Sequence, residues 1–285
     1  MRSVTSVLAA TAASLISTAA LAADMPSIMP PPPAYYAPQP VVEDFGGWYL
    51  RGDVGFSNSR VKNLDIRNYQ DAGISIPSQT LGFDSAGIYS VGLGYSFNSW
   101  FRADITGQYR GKANFHGLDL VSFNGVPLGA DTYGASMHSW VAMANIYADL
   151  GTWWCLTPFV GVGIGYANTT ISNFTDQGVS FNPAFGTSPT TAYASTVSKW
   201  NVAYALHAGV AYKVNPGLTV ELAYSYMNLG DGLTGSLTDF QGRTRGNAFT
   251  FKEITSHDVK LGVRWSLDQG TIYAPPPPPL LIRKG

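Results

Sequence analysis

Asp258-Val259-Lys260-Leu261-Gly262-Val263-Arg264-Trp265-Ser266-Leu267 is the stretch whose reading decides the fold. Its odd positions are Val, Leu, Val, Trp and Leu, and its even positions are Asp, Lys, Gly, Arg and Ser. Successive side chains of a strand point to opposite faces, so one face is apolar throughout and the other carries charge. A sheet with its apolar face in lipid and its charges turned inward fits this pattern.

Seven upstream segments repeat it: residues 47–56, 87–97, 100–110, 139–150, 157–167, 199–214 and 218–227. In 47–56, Trp48, Leu50, Val54 and Phe56 oppose Tyr49, Arg51 and Asp53. In 157–167, Val160, Val162, Ile164 and Tyr166 oppose Gly161, Gly163 and Gly165, which leave room for bulky inward neighbours such as Tyr147. Lengths of about ten residues suit a tilted membrane-crossing strand. Connections alternate: Asn98-Ser99, 151–156 and Asn215-Pro216-Gly217 are short, whereas 57–86, 111–138, 168–198 and 228–252 are long. Short turns on the periplasmic side and long loops outside are the habit of outer-membrane barrels. The predicted fold is therefore all-β, an eight-stranded antiparallel up-and-down transmembrane barrel. A soluble barrel with the same alternation would leave the Gly-rich face in water and would explain neither the loop asymmetry nor the aromatic distribution.

That distribution marks two levels. Trp48, Phe97, Phe101, Tyr212 and Trp265 fall at short-turn ends of the apolar face, and Tyr89, Tyr109, Trp140, Tyr166, Trp200 and Tyr226 at long-loop ends. Amphipathic rings prefer the two bilayer interfaces, so these sets predict two girdles.

The ends of the chain predict export. Met1-Arg2, an uncharged apolar stretch to Leu21 and the small-x-small site Ala20-Leu21-Ala22 describe a signal peptide over residues 1–22. A Pro-rich linker (23–44, with Pro30 to Pro33) and a Pro-rich tail (268–285, with Pro275 to Pro279) flank the barrel domain at 45–267. Charged residues are 12% of the chain, against roughly 25% in ordinary soluble proteins. The formal net charge of −1 gives no basic excess for nucleic acid, and Cys155, the only cysteine, excludes an intrachain disulfide.

The inward face is predicted to carry Arg51, Asp53, Arg102, Asp104, Arg110, Asp149, Lys213, Glu221, Asp258, Lys260 and Arg264. Eight strands enclose only enough space for side chains, and buried charges need partners, so the expectation is a lumen plugged by ion pairs. A narrow charge-lined pore is the alternative. His116, His138, His207 and His257 show no metal-ligand spacing, so neither metal nor cofactor is expected. Ser136 with His138, and Ser256 with Asp258, share strand faces, but no acidic orienter is identifiable beside Ser136 and His138 and no triad geometry emerges, so catalysis by a lipid-modifying site is the third reading.

The Pro-rich linker before Gly47-Trp48-Tyr49-Leu50-Arg51-Gly52-Asp53-Val54-Gly55, the segments 145–151 and 157–166, and the closing strand together carry a resemblance. Over residues 45 to 267 the chain resembles the small outer-membrane β-barrels of alphaproteobacteria, called porin-family or outer-membrane immunogenic proteins and similar to the membrane domain of OmpA. The resemblance implies a bacterial outer-membrane location and a non-catalytic role in envelope integrity, surface recognition or adhesion. It also implies that Lys260, Gly262, Trp265 and Leu267 form the signal read by the barrel-assembly machinery, although this chain continues past Leu267 where relatives end in an aromatic residue. Outer-membrane lipid and an extracellular ligand at the loops are the other expected partners, with no nucleic acid, for a monomer.

Overall fold

The computed structural model describes residues 46–66, 74–182, 185–246 and 248–268. The expected signal peptide, the linker 23–44 and tail residues 269–285 lie outside them. Among the described residues thirteen strands form: β1 (Gly47–Arg60), β2 (Asn63–Ile66), β3 (Ile74–Phe83), β4 (Ala86–Ser96), β5 (Phe101–Phe123), β6 (Val126–Asp149), β7 (Leu156–Asn182), β8 (Gly186–Ala194), β9 (Val197–Asn215), β10 (Leu218–Leu233), β11 (Leu237–Thr238), β12 (Thr244–Gly246) and β13 (Phe249–Ser266). Eight of them close an antiparallel ring in the order β1-β4-β5-β6-β7-β9-β10-β13, and β13 returns to β1 through pairs from Tyr49↔Ser266 to Arg60↔Thr255. Closure pairs the backbone donors and acceptors all the way round, as a structure in hydrocarbon requires.

The faces are inverted relative to a soluble barrel. On the outward face Val91 is 70% exposed and Ile105 69%, whereas inward-facing Arg102 is 1% exposed and Asp258 0%. The aromatic residues stand in two outward rows. Trp48, Phe97, Tyr212 and Trp265 are exposed at the short-turn end, where Phe97 lies 5.3 Å from Phe101. Tyr89, Trp140, Tyr166 and Trp200 are exposed at the other end, where Tyr109 lies 4.7 Å from Trp140.

The four long connections are not loops in the expected sense. Strands β5, β6 and β7 have 23, 24 and 27 residues, more than twice what a membrane crossing takes. The span 111–138 is a continuation of β5 and β6, joined by Asn124-Gly125 with φ of 45° and 80°. Two central residues with positive φ make the hairpin turn that matches strand twist, and Asn-Gly is its preferred sequence. Likewise, among the described residues, β1 to β3 take up most of 57–86, β7 and β8 most of 168–198, and β10 to β13 much of 228–252. Register shifts lie between Arg110 and Ala113, between Gly134 and Ser136, and between Asn228 and Gly232, just beyond Tyr109, Trp140 and Tyr226. Bulges bend strands at barrel rims, and here they mark where the ring passes into a β-structured extension.

The extension has its own core. Phe115, Tyr133, Phe174, Phe249, Phe251 and Leu64 are buried together, with Phe115 and Phe251 rings 4.8 Å apart and Phe174 and Phe249 also 4.8 Å apart. The core continues down into the ring through Met137, Val141, Met143, Ala203 and Met227.

Candidate functional site

Two features stand out as sites: the charged interior of the ring and the extension above it. In the interior, Glu221 on β10 is the meeting point. Three guanidiniums face its carboxylate, Arg51 Nη2 at 3.5 Å, Arg102 Nη2 at 3.4 Å and Arg264 Nη2 at 3.4 Å. Arg51 also reaches Asp53 and Asp104, each at 2.8 Å, and donates to the Tyr147 hydroxyl at 3.1 Å. Arg102 reaches Asp149 at 3.2 Å. Two of its terminal nitrogens lack a hydrogen-bond acceptor, but the guanidinium is sandwiched 4.2 Å from the Tyr147 ring and 4.8 Å from Phe159. Ring faces attract the cation and compensate its missing acceptors.

Higher in the lumen, Asn145 donates to Asp104 at 2.8 Å, and His207 bridges Asn145 and Ser225. At the top of the polar zone both Asp258 oxygens are held by Arg110, at 2.7 and 2.8 Å, and Arg110 also donates to Ser57. Above that pair begins the apolar core of the extension. Glycines make the polar packing fit. A Cβ on Gly161 would stand 2.4 Å from the Tyr147 ring, one on Gly163 2.2 Å from Asn145, and one on Gly262 2.3 Å from Asp53. A cavity of about 10 Å³, room for roughly one water molecule, lies among Arg51, Asp53, Asn145, His207 and Lys260.

Ten of the eleven charges expected inside thus line the lumen, and nine of them stand in ion pairs. Lys260 is buried against the cavity without an ion pair within 4 Å among the described residues. Lys213 is a correction: it is exposed at the short-turn rim. It keeps the inward phase, paired with Thr219 in register with Ala211↔Glu221, but it is the last such position before the Asn215-Pro216-Gly217 turn, where the lumen opens to water. Of the assembly-signal residues, Lys260 faces the lumen, Gly262 accommodates Asp53, Trp265 is exposed outward, and Leu267 lies just past β13.

The serine pairs are not brought into catalytic contact. Ser136 Oγ donates to Asn114, and Asp258 is occupied by Arg110 while the Ser256 hydroxyl has no hydrogen-bond partner among the described residues. Among the described residues no group of three His, Cys, Asp or Glu could hold a metal ion.

Residues of the extension that sequence reading missed include three acids. Asp119 opposes Asp131 across β5 and β6, and Asp176 opposes Tyr133 across β6 and β7. Burial pushes the Asp176 carboxyl up to about 7, helped by the Asp131 and Asp119 charges. The detectable signal was Asn124-Gly125 between two runs of alternating residues.

Two outcomes follow from this geometry. Replacing Glu221 by Ala leaves three guanidiniums without their shared carboxylate, so it should cost about 3–5 kcal/mol of barrel stability, read by denaturant titration of the heat-shifted gel band. A loss under about 1 kcal/mol would mean that the arginines are compensated elsewhere. The folded Asp176 pKa lies above its unfolded value, so the folded state binds the extra proton between about pH 4 and 7, and stability is lost as pH rises through that window. Amide exchange in 126–182 should therefore quicken between pH 5 and 8 beyond its intrinsic pH dependence, and Asp176→Asn should remove that excess. An unchanged excess in the variant would assign it to another group.

Comparison with known proteins agrees with the closed ring. A family model described as an outer membrane protein beta-barrel domain matches residues 8–266. An uncharacterized protein of Brucella abortus is 32% identical over 237 residues, covering 75% of this chain and 78% of the relative. The outer membrane protein PagN of Salmonella typhimurium is 25% identical over 229 residues, 77% of this chain and 90% of the relative. A putative adhesin of Rickettsia bellii is 28% identical over 228 residues, 77% of this chain and 88% of the relative. The chain belongs to the outer membrane protein beta-barrel domain family, and its place is the outer membrane.

Proposed function

We propose that this protein is a closed, non-catalytic barrel that displays its β-structured extension as a recognition surface outside the cell. The observation that carries the reading is the filling of the ring: an ion network around Glu221 occupies the lower lumen, Met137, Val141, Met143 and Met227 pack its upper part, and the aromatic core of the extension lies above them. Such an interior suits a rigid pedestal. The extension in turn offers what adhesion needs. Register puts Leu118 and Leu120 of β5 and Val179 and Phe181 of β7 on its outward face, and all four are exposed. Exposed apolar side chains in a paired, pre-ordered sheet bind without the entropic cost of ordering a loop. The resemblance to a protein named a putative adhesin supports the same reading.

Barrel assembly would use Lys260, Gly262 and Trp265 of β13 with Leu267 just beyond it, and the working unit would be a single chain.

The test is attachment to host-type surfaces by cells displaying the full chain or a chain with residues 118–131 replaced by a short Gly-Asn turn. The replacement should leave the heat-shifted band intact and lower attachment at least severalfold. Equal attachment by both chains, each folded and displayed, would contradict the recognition role of this hairpin.

A further inference from the structure

The outward face of β10, β13 and β1 changes character row by row toward the outer end. Leu222, Leu261 and Val54 share one row, and Tyr224, Val259 and Phe56 the next. Then come Tyr226, His257 and Asn58, followed by Asn228, Thr255 and Arg60. Each row is about 7 Å further along the strands. The two lower rows are apolar apart from the Tyr224 hydroxyl. The two upper rows are polar, carry no carboxylate, and end in Arg60, which is exposed.

The level of the change matters. Tyr226 belongs to the outer aromatic row, so His257 beside it stands at headgroup depth and Arg60 just above. Polar side chains on a lipid-facing surface are costly at the bilayer centre and are tolerated where headgroups meet them. The ring of His257 is also held in a defined pose. Its Nδ1 lies 2.6 Å from the Tyr224 hydroxyl, and its ring sits 5.4 Å from that of Tyr226. A hydroxyl donating to Nδ1 leaves the ring N–H on Nε2, and Nε2 has no partner among the described residues. A nearby acid, Glu253, is engaged with Lys62 at 2.9 Å and does not neutralise Arg60.

We propose that this patch is a binding site for the phosphorylated headgroup of an outer-leaflet lipid. Arg60 and the Nε2–H of His257 donate to phosphate oxygens, the Asn58 amide adds a third donor, and Tyr226 packs against the headgroup's sugar. Phosphate is favoured over a neutral sugar because the patch pairs a guanidinium with neutral donors and has no acid of its own. The site is separate from the hairpin tips that serve recognition, and it holds the barrel at a fixed depth in one kind of leaflet.

Native mass spectrometry of the refolded full chain, titrated with bis-phosphorylated lipid A and with its dephosphorylated form, tests the proposal. The phosphorylated lipid should bind at least tenfold more tightly. Arg60→Gln should weaken it about tenfold, as loss of a charge-assisted hydrogen bond does. Tyr224→Phe, which removes only the hydroxyl that orients His257, should weaken it severalfold, whereas Lys213→Gln at the opposite rim should not. The heat-shifted band certifies folding of each variant. Equal binding of the two lipids, or full-strength binding by the Arg60→Gln chain, would overturn the assignment.

Discussion

The ion network centred on Glu221 governs the rest of the barrel, because a ring of eight strands is filled by side chains and has little water to hydrate a lone charge. Each charged residue placed inside commits the neighbouring strands to supply its counterpart. Arg51 from β1 and Arg102 from β5 meet Glu221 from β10, and Arg264 from β13 completes the set. One carboxylate thus ties four of the eight strands together across the lumen. The glycines follow from the same constraint. Gly161 and Gly163 sit where Tyr147 and Asn145 need space, and Tyr147 is in turn the face on which Arg102 stacks.

The network ends at the Arg110–Asp258 pair, and what lies above it obeys different physics. There the strands have left the bilayer and water borders their outer face, so an ordinary apolar interior forms from Phe115, Phe174, Phe249 and Phe251. Bulges beyond Arg110, Gly134 and Asn228 separate the two regimes. Below them the protein is apolar outside and mainly polar inside, with Met143 and Met227 packed beside the polar groups; above them the inside is mainly apolar and the outside mixed. A single continuous sheet serves both solvents: bulges shift the phase of β5 and β7 by one residue, while β6 keeps its alternation and changes only the residues on its inner face.

That change also explains what could be read from the sequence. The eight crossing strands, their inward and outward faces and their turns were legible, because lipid imposes strict alternation over about ten residues. Residues 258–267 and 47–56 show it without a break. Beyond Arg110 the alternation restarts one residue out of phase, with Gly111 and Lys112 standing against His138 alone, and the outer face mixes Leu118 with Thr132 and Gln177, so a strict pattern stops at the girdle. Asn124-Gly125 was the local cue that 111–138 is a hairpin. The inward charges were legible as a set, but their pairing was not, since Arg102 and Glu221 are far apart in sequence and meet only when the ring closes. Lys213 escaped for a local reason: its parity is inward, but it stands at the open rim beside a Pro-Gly turn.

The central claim is that the interior is occupied by paired charges and packed rings. Single-channel recording of the folded, heat-modifiable protein in planar bilayers tests it most directly. The account predicts a quiet bilayer, with no discrete conductance steps from wild-type protein. Reproducible ion-selective steps from that same folded band would contradict it and make the charges around Glu221 the lining of a pore.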